Sequence, residues 1–255
     1  MGMLSGKVAV VLGASNASSM GAAAARRCLE EGAEVIIAAR TEAKVDALAQ
    51  ELGCSGQRCD IASDDDLRAL ARAAVDRFGK LDIAMNFAGI EAGGAIAELE
   101  RDVLLTSANV HLAGTAMFIR FMAEAMPETG GSIVTTSSQT AILSPPGLAA
   151  YAGAKAGADH IVRIAANEYG DRNIRVNSIA PGFTPTEMTA GYLQVPTIEP
   201  AFLRELALPR LPRVDDIADA AAWLASDRCF ATGTVLDLSG GQVLNRIPTY
   251  AEMMG

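Results

Sequence analysis

Short apolar runs alternate with longer helix-patterned stretches along most of the chain. The runs are nearly continuous, as expected for parallel strands buried on both faces of a sheet. They are Val8–Leu12, Val35–Ala39, Leu81–Met85, Ile133–Thr136, Ile174–Ile179 and Val235–Leu238. Between them, residues 21–31 and 64–78 have helix-forming patterns, the second opened by Ser63 and Asp66 as by a capping box and ended by Gly79. This alternation predicts an α/β fold, a doubly wound parallel sheet with ligands at the carboxyl ends of its strands.

The alternation continues from residue 7 to about residue 240 without a Pro/Ser-rich linker or a charge block. We therefore predict one three-layer domain of the Rossmann type over residues 1–255. The pattern breaks over about residues 186–214, which hold four prolines and scattered apolar residues. An interruption of this length is usually a lid or binding loop. Met188 and Tyr192 are then expected to meet a fairly hydrophobic substrate, although these apolar residues could equally be the lid's own core.

Composition narrows the class of protein. The formal net charge of −9 and the single Trp argue against a nucleic-acid partner. The first apolar run, Val8–Leu12, is too short to cross a bilayer and lacks a cleavage-like tail, so neither a signal peptide nor a membrane anchor is expected. The four cysteines form no C-x-x-C pair, and the two histidines complete no familiar zinc pattern with them. We expect a cytoplasmic, reduced, metal-free protein.

The segment LGASNASSMG follows the first strand and runs directly into a helix. Backbone N–H groups at such a helix start can bind a pyrophosphate, although a tight turn without a ligand fits this stretch alone equally well. The hydroxyl of one serine in the loop, Ser19, could add a donor. The candidate cofactor contacts here are Gly13, Ser15, Ser19, Met20 and Gly21.

The second strand ends where an acidic residue would bind the ribose 2′-hydroxyl of NAD(H), but the chain has Ala39 and then Arg40. A guanidinium suits a 2′-phosphate and stacking on adenine, which favours NADP(H) and leaves NAD(H) possible. The alternative is a solvated arginine at a helix cap.

The residue types for acid/base chemistry occur between residues 138 and 155. Tyr151 and Lys155 are four residues apart on a predicted helix and so share a face. A nearby ammonium lowers the pKa of a phenol, which makes it usable as a proton donor or acceptor. Ser138 ends a strand and could hydrogen-bond the reacting oxygen. Y-x-x-x-K alone is common by chance, and its plain alternative is a surface pair.

Taken together, these motifs resemble the short-chain dehydrogenase/reductase family over nearly the whole chain, in particular its single-domain branch similar to 3-oxoacyl-carrier-protein reductases. The resemblance implies a tetrad of Ser138, Tyr151, Lys155 and Asn109, the last expected to hold a water in a proton relay to the lysine. His111, two residues further on, is interpreted as a packed or exposed helix residue, because no acidic partner is evident.

The same resemblance implies further contacts. Tyr151 and Lys155 also meet the cofactor, and Ser138, Gln139 and Tyr151 meet the substrate. The remaining implied cofactor residues are Asp60 and Ile61 at the adenine, Asn86, Ala88 and Gly89 of the NFAG segment near the ribose, and Pro181, Gly182, Phe183 and Thr186 of the PGFTPT segment at the nicotinamide and phosphates.

The first glycine loop departs from the family's usual T-G-x-x-x-G-x-G. Leu12 replaces the threonine, and two extra residues give G-x5-S-x-G, which resembles the enoyl-reductase branch. That branch normally spaces its tyrosine and lysine further apart. We therefore expect hydride transfer between NAD(P)(H) and a ketone or secondary alcohol, with enoyl reduction or a catalytically silent cofactor-binding protein as alternatives. Family members are usually tetramers, so a homotetramer is expected, with the tail after Gly241 packing on a neighbouring subunit.

Overall fold

Seven parallel strands form a single sheet in the computed structural model, which describes residues 2–254. Met1 and Gly255, included in the predicted domain range, lie outside the described residues. The strands are β1 Val8–Leu12, β2 Glu34–Ala39, β3 Ser55–Arg58, β4 Ile83–Asn86, β5 Gly131–Thr136, β6 Ile174–Pro181 and β7 Val235–Leu238. Their order in the sheet is β3-β2-β1-β4-β5-β6-β7, so it reverses between β1 and β4 and opens a crevice there. The predicted doubly wound sheet is confirmed.

Helices cover both faces of the sheet. Alternate residues of β1 point to opposite sides, so Ala9 and Val11 enter one core while Val10 and Leu12 enter the other. The first core lies under α1, α2 and α9, and the second under α3, α5 and α6. The helices are α1 Met20–Glu30, α2 Glu42–Leu52, α3 Asp64–Phe78, α4 Arg101–Ser107, α5 Gly114–Ala125, α6 Ala149–Glu168, α7 Ala190–Leu193, α8 Ile198–Glu205, α9 Val214–Ala225 and α10 Tyr250–Met254.

A π-helical turn, Ala108–Ala113, joins α4 to α5 into one continuous helix. Here the Gly114 N–H donates to the Asn109 carbonyl, five residues back instead of four. The turn takes one extra residue into the helix, which changes the side of the helix on which the preceding residues lie. This register decides which side chains of the turn face the sheet.

The continuous helix Arg101–Ala125 is long and apolar enough to cross a membrane by length and composition, with a mean hydropathy of 1.2. In this fold it flanks the sheet instead, because Phe118, Phe121 and Met122 of α5 are fully buried in the second core. Leu104 and Leu105 of α4 remain exposed.

The irregular segment after β6 has a small core of its own. Ile198, Phe202 and Leu211 are buried there, and Met253 of α10 packs against them. The chain's end therefore folds back on its own lid, where Arg246 also pairs with Glu205 of the segment Ile198–Glu205 at 2.8 Å. Packing of the tail on a neighbouring subunit stays a prediction.

Candidate active site

A cleft of about 420 Å³ opens at the carboxyl ends of β1, β2 and β4, at the point where the strand order reverses. Ten of the residues predicted to meet a cofactor line it, namely Gly13, Ser15, Ser19, Met20, Arg40, Asp60, Ile61, Ala88, Gly89 and Thr186. The chain therefore gathers its predicted adenine, phosphate and ribose contacts into one crevice.

Two positions of the first loop require glycine, because neighbouring backbone atoms lie too close for a Cβ. Gly13 has a φ of +97°, and a Cβ there would lie 2.4 Å from the carbonyl carbon of Phe87. A Cβ at Gly21 would lie 2.6 Å from the Gly13 carbonyl oxygen. Gly21 does not line the cleft; it lets α1 pack directly against the loop that does.

The Ser19 hydroxyl is committed to the loop itself. Its Oγ donates to the Asn16 carbonyl at 2.8 Å and accepts from the Ala22 N–H at 3.1 Å, which makes Ser19 the N-cap of α1. The hydroxyl proton is therefore not free for a phosphate, contrary to the expectation from sequence. A pyrophosphate bound here would have to be held by main-chain N–H groups at the start of α1.

Basic side chains occupy the rim of the cleft beyond β2. Arg40 is exposed, and Lys44 in the first turn of α2 lies beside it on the same rim. The Lys44 ammonium is 3.6 Å from a carboxylate oxygen of Glu187, whose other oxygen accepts a hydrogen bond from the Asn16 amide. Lys44 was not predicted from the sequence, although its position four residues after Arg40 could have indicated a second cation at this rim. We call the Asn16–Glu187–Lys44 arrangement the carboxylate clasp.

Asn86 shapes the cleft without lining it. It is buried at the end of β4, where its side chain accepts from the Ala88 N–H at 3.0 Å. Its carbonyl accepts from the Thr136 hydroxyl at 2.9 Å, which joins the ends of β4 and β5.

Three residues of the PGFTPT segment lie away from the cleft. Pro181 ends β6 and Gly182 packs against Ser239, where a Cβ would come within 2.9 Å of the serine Cα. The Phe183 ring stacks on Phe202 of α8 at 4.2 Å and supports the lid. Of the predicted residues in this segment, only Thr186 lines the cleft.

Lys155 lies buried on α6 with its ammonium held in place. Its Nζ donates to the Thr136 carbonyl at 2.5 Å and lies 5.7 Å from the centre of the Tyr151 ring. Burial lowers the pKa of Lys155 to about 8, while the Asp159 carboxylate acts in the opposite direction. The predicted pairing of Lys155 with Tyr151 on one helix face is present.

Burial raises the pKa of Tyr151, and hydrogen bonding with Ser138 only partly offsets this. A lowering of this pKa by Lys155 was expected from the sequence, but burial has the larger effect on the Tyr151 pKa in the protein alone. Tyr151 is thus a neutral phenol with a proton to give. Ser138 is buried beside it and accepts from the Thr140 N–H and hydroxyl at 3.2 and 3.0 Å. Gln139 is buried next to Ser138.

The π-helical turn leaves the Asn109 side chain outside the group in which it was expected and packs His111 beside Tyr151. Asn109 is exposed, whereas His111 is 1% exposed and its ring meets the Tyr151 ring edge-on at 5.0 Å. The assignment of Asn109 to the tetrad is therefore wrong in this structure. The extra residue in the turn turns Asn109 outward and His111 inward, a shift that a count based on α-helical spacing does not detect.

The two predicted substrate residues of the lid lie at the mouth of the site. Met188 is exposed and lines the cofactor cleft. Tyr192 is half-exposed, and its hydroxyl donates to Glu91 in the loop after β4. This hydrogen bond raises the pKa of Tyr192 to about 12, so the phenol stays neutral and joins the lid to the opposite wall.

Comparison with known proteins places this geometry in a family. The profile described as "Enoyl-(Acyl carrier protein) reductase" matches residues 13–242. The A-factor type gamma-butyrolactone 1'-reductase (1S-forming) of Streptomyces virginiae is 35% identical over 250 residues, which is 94% of this chain and 96% of that protein. The chain belongs to the short-chain dehydrogenase/reductase family.

Two further comparisons agree with this membership. The 3-oxoacyl-[acyl-carrier-protein] reductase of Thermotoga maritima is 32% identical over 256 residues, covering 94% of this chain and 99% of that one. A solved short-chain type dehydrogenase/reductase from Mycobacterium ulcerans superposes with a TM-score of 0.94 at 28% identity, covering 98% of this chain and 94% of the other. The chain is thus an oxidoreductase of a family that uses NAD(P)(H), and the enoyl-reductase alternative is not favoured.

As a member of the short-chain dehydrogenase/reductase family, the chain has residues that fit a nicotinamide dinucleotide. At Gly13 the loop passes so close to the end of β4 that a Cβ would not fit there. The start of α1 lines the same cleft. Arg40 and Lys44 supply positive charge at the rim. These features suit an elongated ligand with two negative charges that lies across the ends of β2, β1 and β4.

Asp159 is a further charged residue near Lys155, and it was not predicted from the sequence. It lies one helical turn after Lys155, is buried, and accepts from the Ser137 hydroxyl at 2.6 Å. Burial raises the pKa of Asp159, and Ser137 and Lys155 counteract this. Its spacing of four residues from Lys155 was the available signal.

Proposed function

We propose that this protein reduces a ketone on a fairly hydrophobic small molecule, or oxidises the corresponding secondary alcohol, with NADP(H). The observation that carries the proposal is the group of Ser138, Tyr151 and Lys155. Ser138 and Lys155 are buried, the Tyr151 phenol is half-buried and neutral, and the ammonium is held beside its ring. A neutral phenol next to a buried cation is suited to give a proton to a carbonyl oxygen.

The roles follow from this arrangement. When bound, the nicotinamide supplies the hydride that reduces the carbonyl carbon. Ser138 hydrogen-bonds the carbonyl oxygen, and Tyr151 gives that oxygen its phenolic proton. The phenolate that remains is stabilised by the Lys155 ammonium, whose position is fixed by the Thr136 carbonyl. Run in reverse, Tyr151 accepts the alcohol proton.

Two cations support a preference for NADP(H) over NAD(H). Arg40 stands directly after β2, where a carboxylate would bind a free ribose 2′-hydroxyl, and Lys44 lies on the same rim. Both side chains are exposed, so a 2′-phosphate can reach them. A phosphate between a guanidinium and an ammonium gains charge-assisted hydrogen bonds that a hydroxyl does not.

The mouth of the site supports an apolar substrate. Met188 and the Tyr192 ring lie at the mouth, and Ile142, just after Ser138 and Gln139, is more than half exposed. Gln139 is the one polar neighbour that we assign to substrate contact, since it is buried beside Ser138. The relatives named for a lactone and for an acyl chain fit substrates of this character.

For the assembled protein we propose a single-domain subunit in a cytoplasmic homotetramer, acting without a metal, membrane or nucleic-acid partner. Phe230 is fully exposed, and β7 stands at an open end of the sheet. Leu104 and Leu105 add apolar surface on α4. Exposed apolar groups and an open strand edge are features that a second copy of the chain can cover. Light scattering of the purified protein measures the mass of the assembly directly.

The test of the proposed reaction combines binding with turnover. Fluorescence titration with NADPH and with NADH gives the two Kd values, and a ketone panel is then assayed with wild type, Tyr151→Phe and Arg40→Ala. We expect NADPH to bind more tightly, Tyr151→Phe to lose at least about a hundredfold in kcat, and Arg40→Ala to lose NADPH affinity while NADH affinity holds. Tyr250→Phe, an exposed tyrosine near the chain's end, is the matched control.

Each negative outcome of this test contradicts a different part of the proposal. Ketone turnover that persists in Tyr151→Phe contradicts the acid/base role. Turnover of conjugated alkenes alone would replace the proposal with enoyl reduction. Tighter NADH binding removes only the argument from Arg40 and Lys44.

A further inference from the structure

A short 3₁₀ turn, Gln139–Ala141, follows β5 and is capped by Ser138. Backbone hydrogen bonds hold this turn at both ends. Before it, the Ser137 N–H donates to the Ile179 carbonyl of β6 at 2.7 Å. Within it, the Ala141 N–H donates to the Ser138 carbonyl at 2.9 Å. Ser138 therefore lies on a fixed backbone, and the groups around its side chain decide what its hydroxyl can do.

Thr140, in the middle of the turn, donates two hydrogen bonds to the same oxygen atom. Its backbone nitrogen lies 3.2 Å from the Ser138 Oγ, and its hydroxyl oxygen lies 3.0 Å from that atom. Both residues are buried, which shields these contacts from bulk water. A serine hydroxyl has two acceptor positions and one proton to donate. Because Thr140 fills both acceptor positions, the proton is what Ser138 can offer to a third partner.

The effect of Ser138 on Tyr151 is that of a donor. Burial raises the pKa of Tyr151, whereas hydrogen bonding with Ser138 lowers it, as a group that donates to the phenolate does. A hydroxyl that accepts hydrogen bonds is also a stronger donor, because linked hydrogen bonds polarise one another. Lys155 and His111 are the other titratable groups at the Tyr151 ring, and the substitutions below leave both in place.

We propose that Thr140 is a positioning residue of this active site: by filling both acceptor positions of the Ser138 oxygen, it makes Ser138 act as a donor alone. The inference rests on the proposed function, since it adds a residue to the same acid/base group. In the reducing direction, negative charge develops on the carbonyl oxygen, where a preorganised donor is most effective. In the oxidising direction Ser138 cannot accept the alcohol proton, so that proton passes to the Tyr151 phenolate.

Thr140→Ser and Thr140→Ala separate the hydroxyl from the rest of the side chain. Both lose the same methyl group, but Thr140→Ser keeps the second donor to Ser138. We expect Thr140→Ser to retain kcat within about twofold and Thr140→Ala to lose at least about fivefold. The KM for NADPH should stay within about threefold in both, because Thr140 does not line the cofactor cleft. Thr232→Ala is the control, since the Thr232 hydroxyl accepts from the Val176 N–H outside the site.

A double-mutant cycle with Ser138→Ala measures whether Thr140 acts through Ser138. Thr140→Ala should cost at least about fivefold in kcat when Ser138 is present and less than about twofold when it is absent. The acid limb of alcohol oxidation should also move to higher pH in Thr140→Ala, because a weaker donor leaves the Tyr151 pKa higher. Equal losses in both backgrounds, or a Thr140→Ser variant as impaired as Thr140→Ala, would reduce Thr140 to packing.

A second measurement does not depend on turnover. The chain has four tyrosines, so ¹³Cζ-tyrosine spectra of wild type and Tyr151→Phe assign the Tyr151 signal. We expect its titration to move to higher pH in Thr140→Ala and to keep the wild-type position in Thr140→Ser. A titration that Thr140→Ala leaves unmoved overturns the inference. If that variant does not fold, Thr140→Val, which keeps the branched shape without the hydroxyl, gives the same comparison.

The two measurements distinguish failure of the inference from failure of the proposed function. Absence of ketone turnover by the wild type, together with a moved Tyr151 titration in Thr140→Ala, would remove the proposed reaction and support the action of Thr140 on Ser138. Ketone turnover by the wild type with an unmoved titration and additive losses would keep the reaction and overturn the inference.

Discussion

The Lys155 ammonium is buried against the Thr136 carbonyl oxygen, and its burial and the charge of Asp159 decide how easily it loses its proton. Burial brings its pKa to about 8, whereas the Asp159 charge raises it. The ammonium is the protonated form, so the stabilisation that it gives to the Tyr151 phenolate is present below about pH 8 and is lost as the pH rises through that value. Activity that depends on this cation has to decline on the alkaline side.

Asp159→Asn tests this electrostatic role. Removal of the anion lets Lys155 deprotonate more easily, so we expect the alkaline limb of the kcat/KM profile to move to lower pH and activity at pH 9 to fall roughly fivefold relative to wild type. The measurement is ketone turnover from pH 6 to pH 10. Asp171→Asn, an exposed carboxylate after α6, is the control. An unmoved alkaline limb in Asp159→Asn would show that Asp159 does not hold the charge of Lys155.

At the level of elements, local patterns predicted most of the architecture because local interactions determine it. α3 begins and ends where the Ser63 cap and Gly79 indicated, and Gly79 adopts the left-handed φ of +80°. β3 gave no apolar run, because this strand at one end of the sheet alternates between partly buried and exposed residues. The π-helical turn was not predictable from the sequence either, because apolar spacing does not distinguish a helix with one added residue. The predicted tetrad therefore included Asn109, whose side chain is exposed.

The N-cap of α1 provides the test at this scale. Ser19→Ala removes the acceptor for the Ala22 N–H and should lower the free energy of unfolding by about 1 kcal/mol. Because the hydroxyl is committed to the loop, the Kd for NADPH should change by less than about threefold, whereas loss of a hydrogen bond to a phosphate would cost more than about tenfold.

Ser63→Ala is the matched substitution, since Ser63 caps α3 in the same way through the Asp66 N–H at 3.2 Å and does not line the cleft. Chemical unfolding and fluorescence titration of both variants give the comparison. A large loss of NADPH affinity confined to Ser19→Ala would restore the hydroxyl as a phosphate donor.

Across the whole molecule, the sheet brings distant parts of the chain to one crevice. The glycine loop, the start of α2, the loop after β4 and the lid meet there only because the strand order reverses between β1 and β4. The strand–helix alternation predicted the crevice, but it did not predict which residues pair with one another inside it. Glu187 is 171 residues from Asn16 and Glu91 is 101 residues from Tyr192, and no local pattern links such pairs.

The carboxylate clasp has a consequence for the order in which ligands bind. Glu187 and a ribose 2′-phosphate would compete for Lys44, and their like charges repel, so arrival of NADPH should release Glu187 and with it the start of the lid. The pair is exposed and contributes at most about 1 kcal/mol, which is small enough for a phosphate to displace.

We therefore expect NADPH to bind before the ketone, and NADP⁺ to leave after the alcohol. Product inhibition measures this order: NADP⁺ should be competitive against NADPH, and the alcohol should give mixed inhibition against NADPH. NADH lacks the phosphate, so its sequence of binding should be closer to random. Glu187→Gln removes the competing charge and should bring the two coenzymes to the same kinetic pattern. Glu187, at the rim of the cleft, would then set the order in which coenzyme and substrate bind.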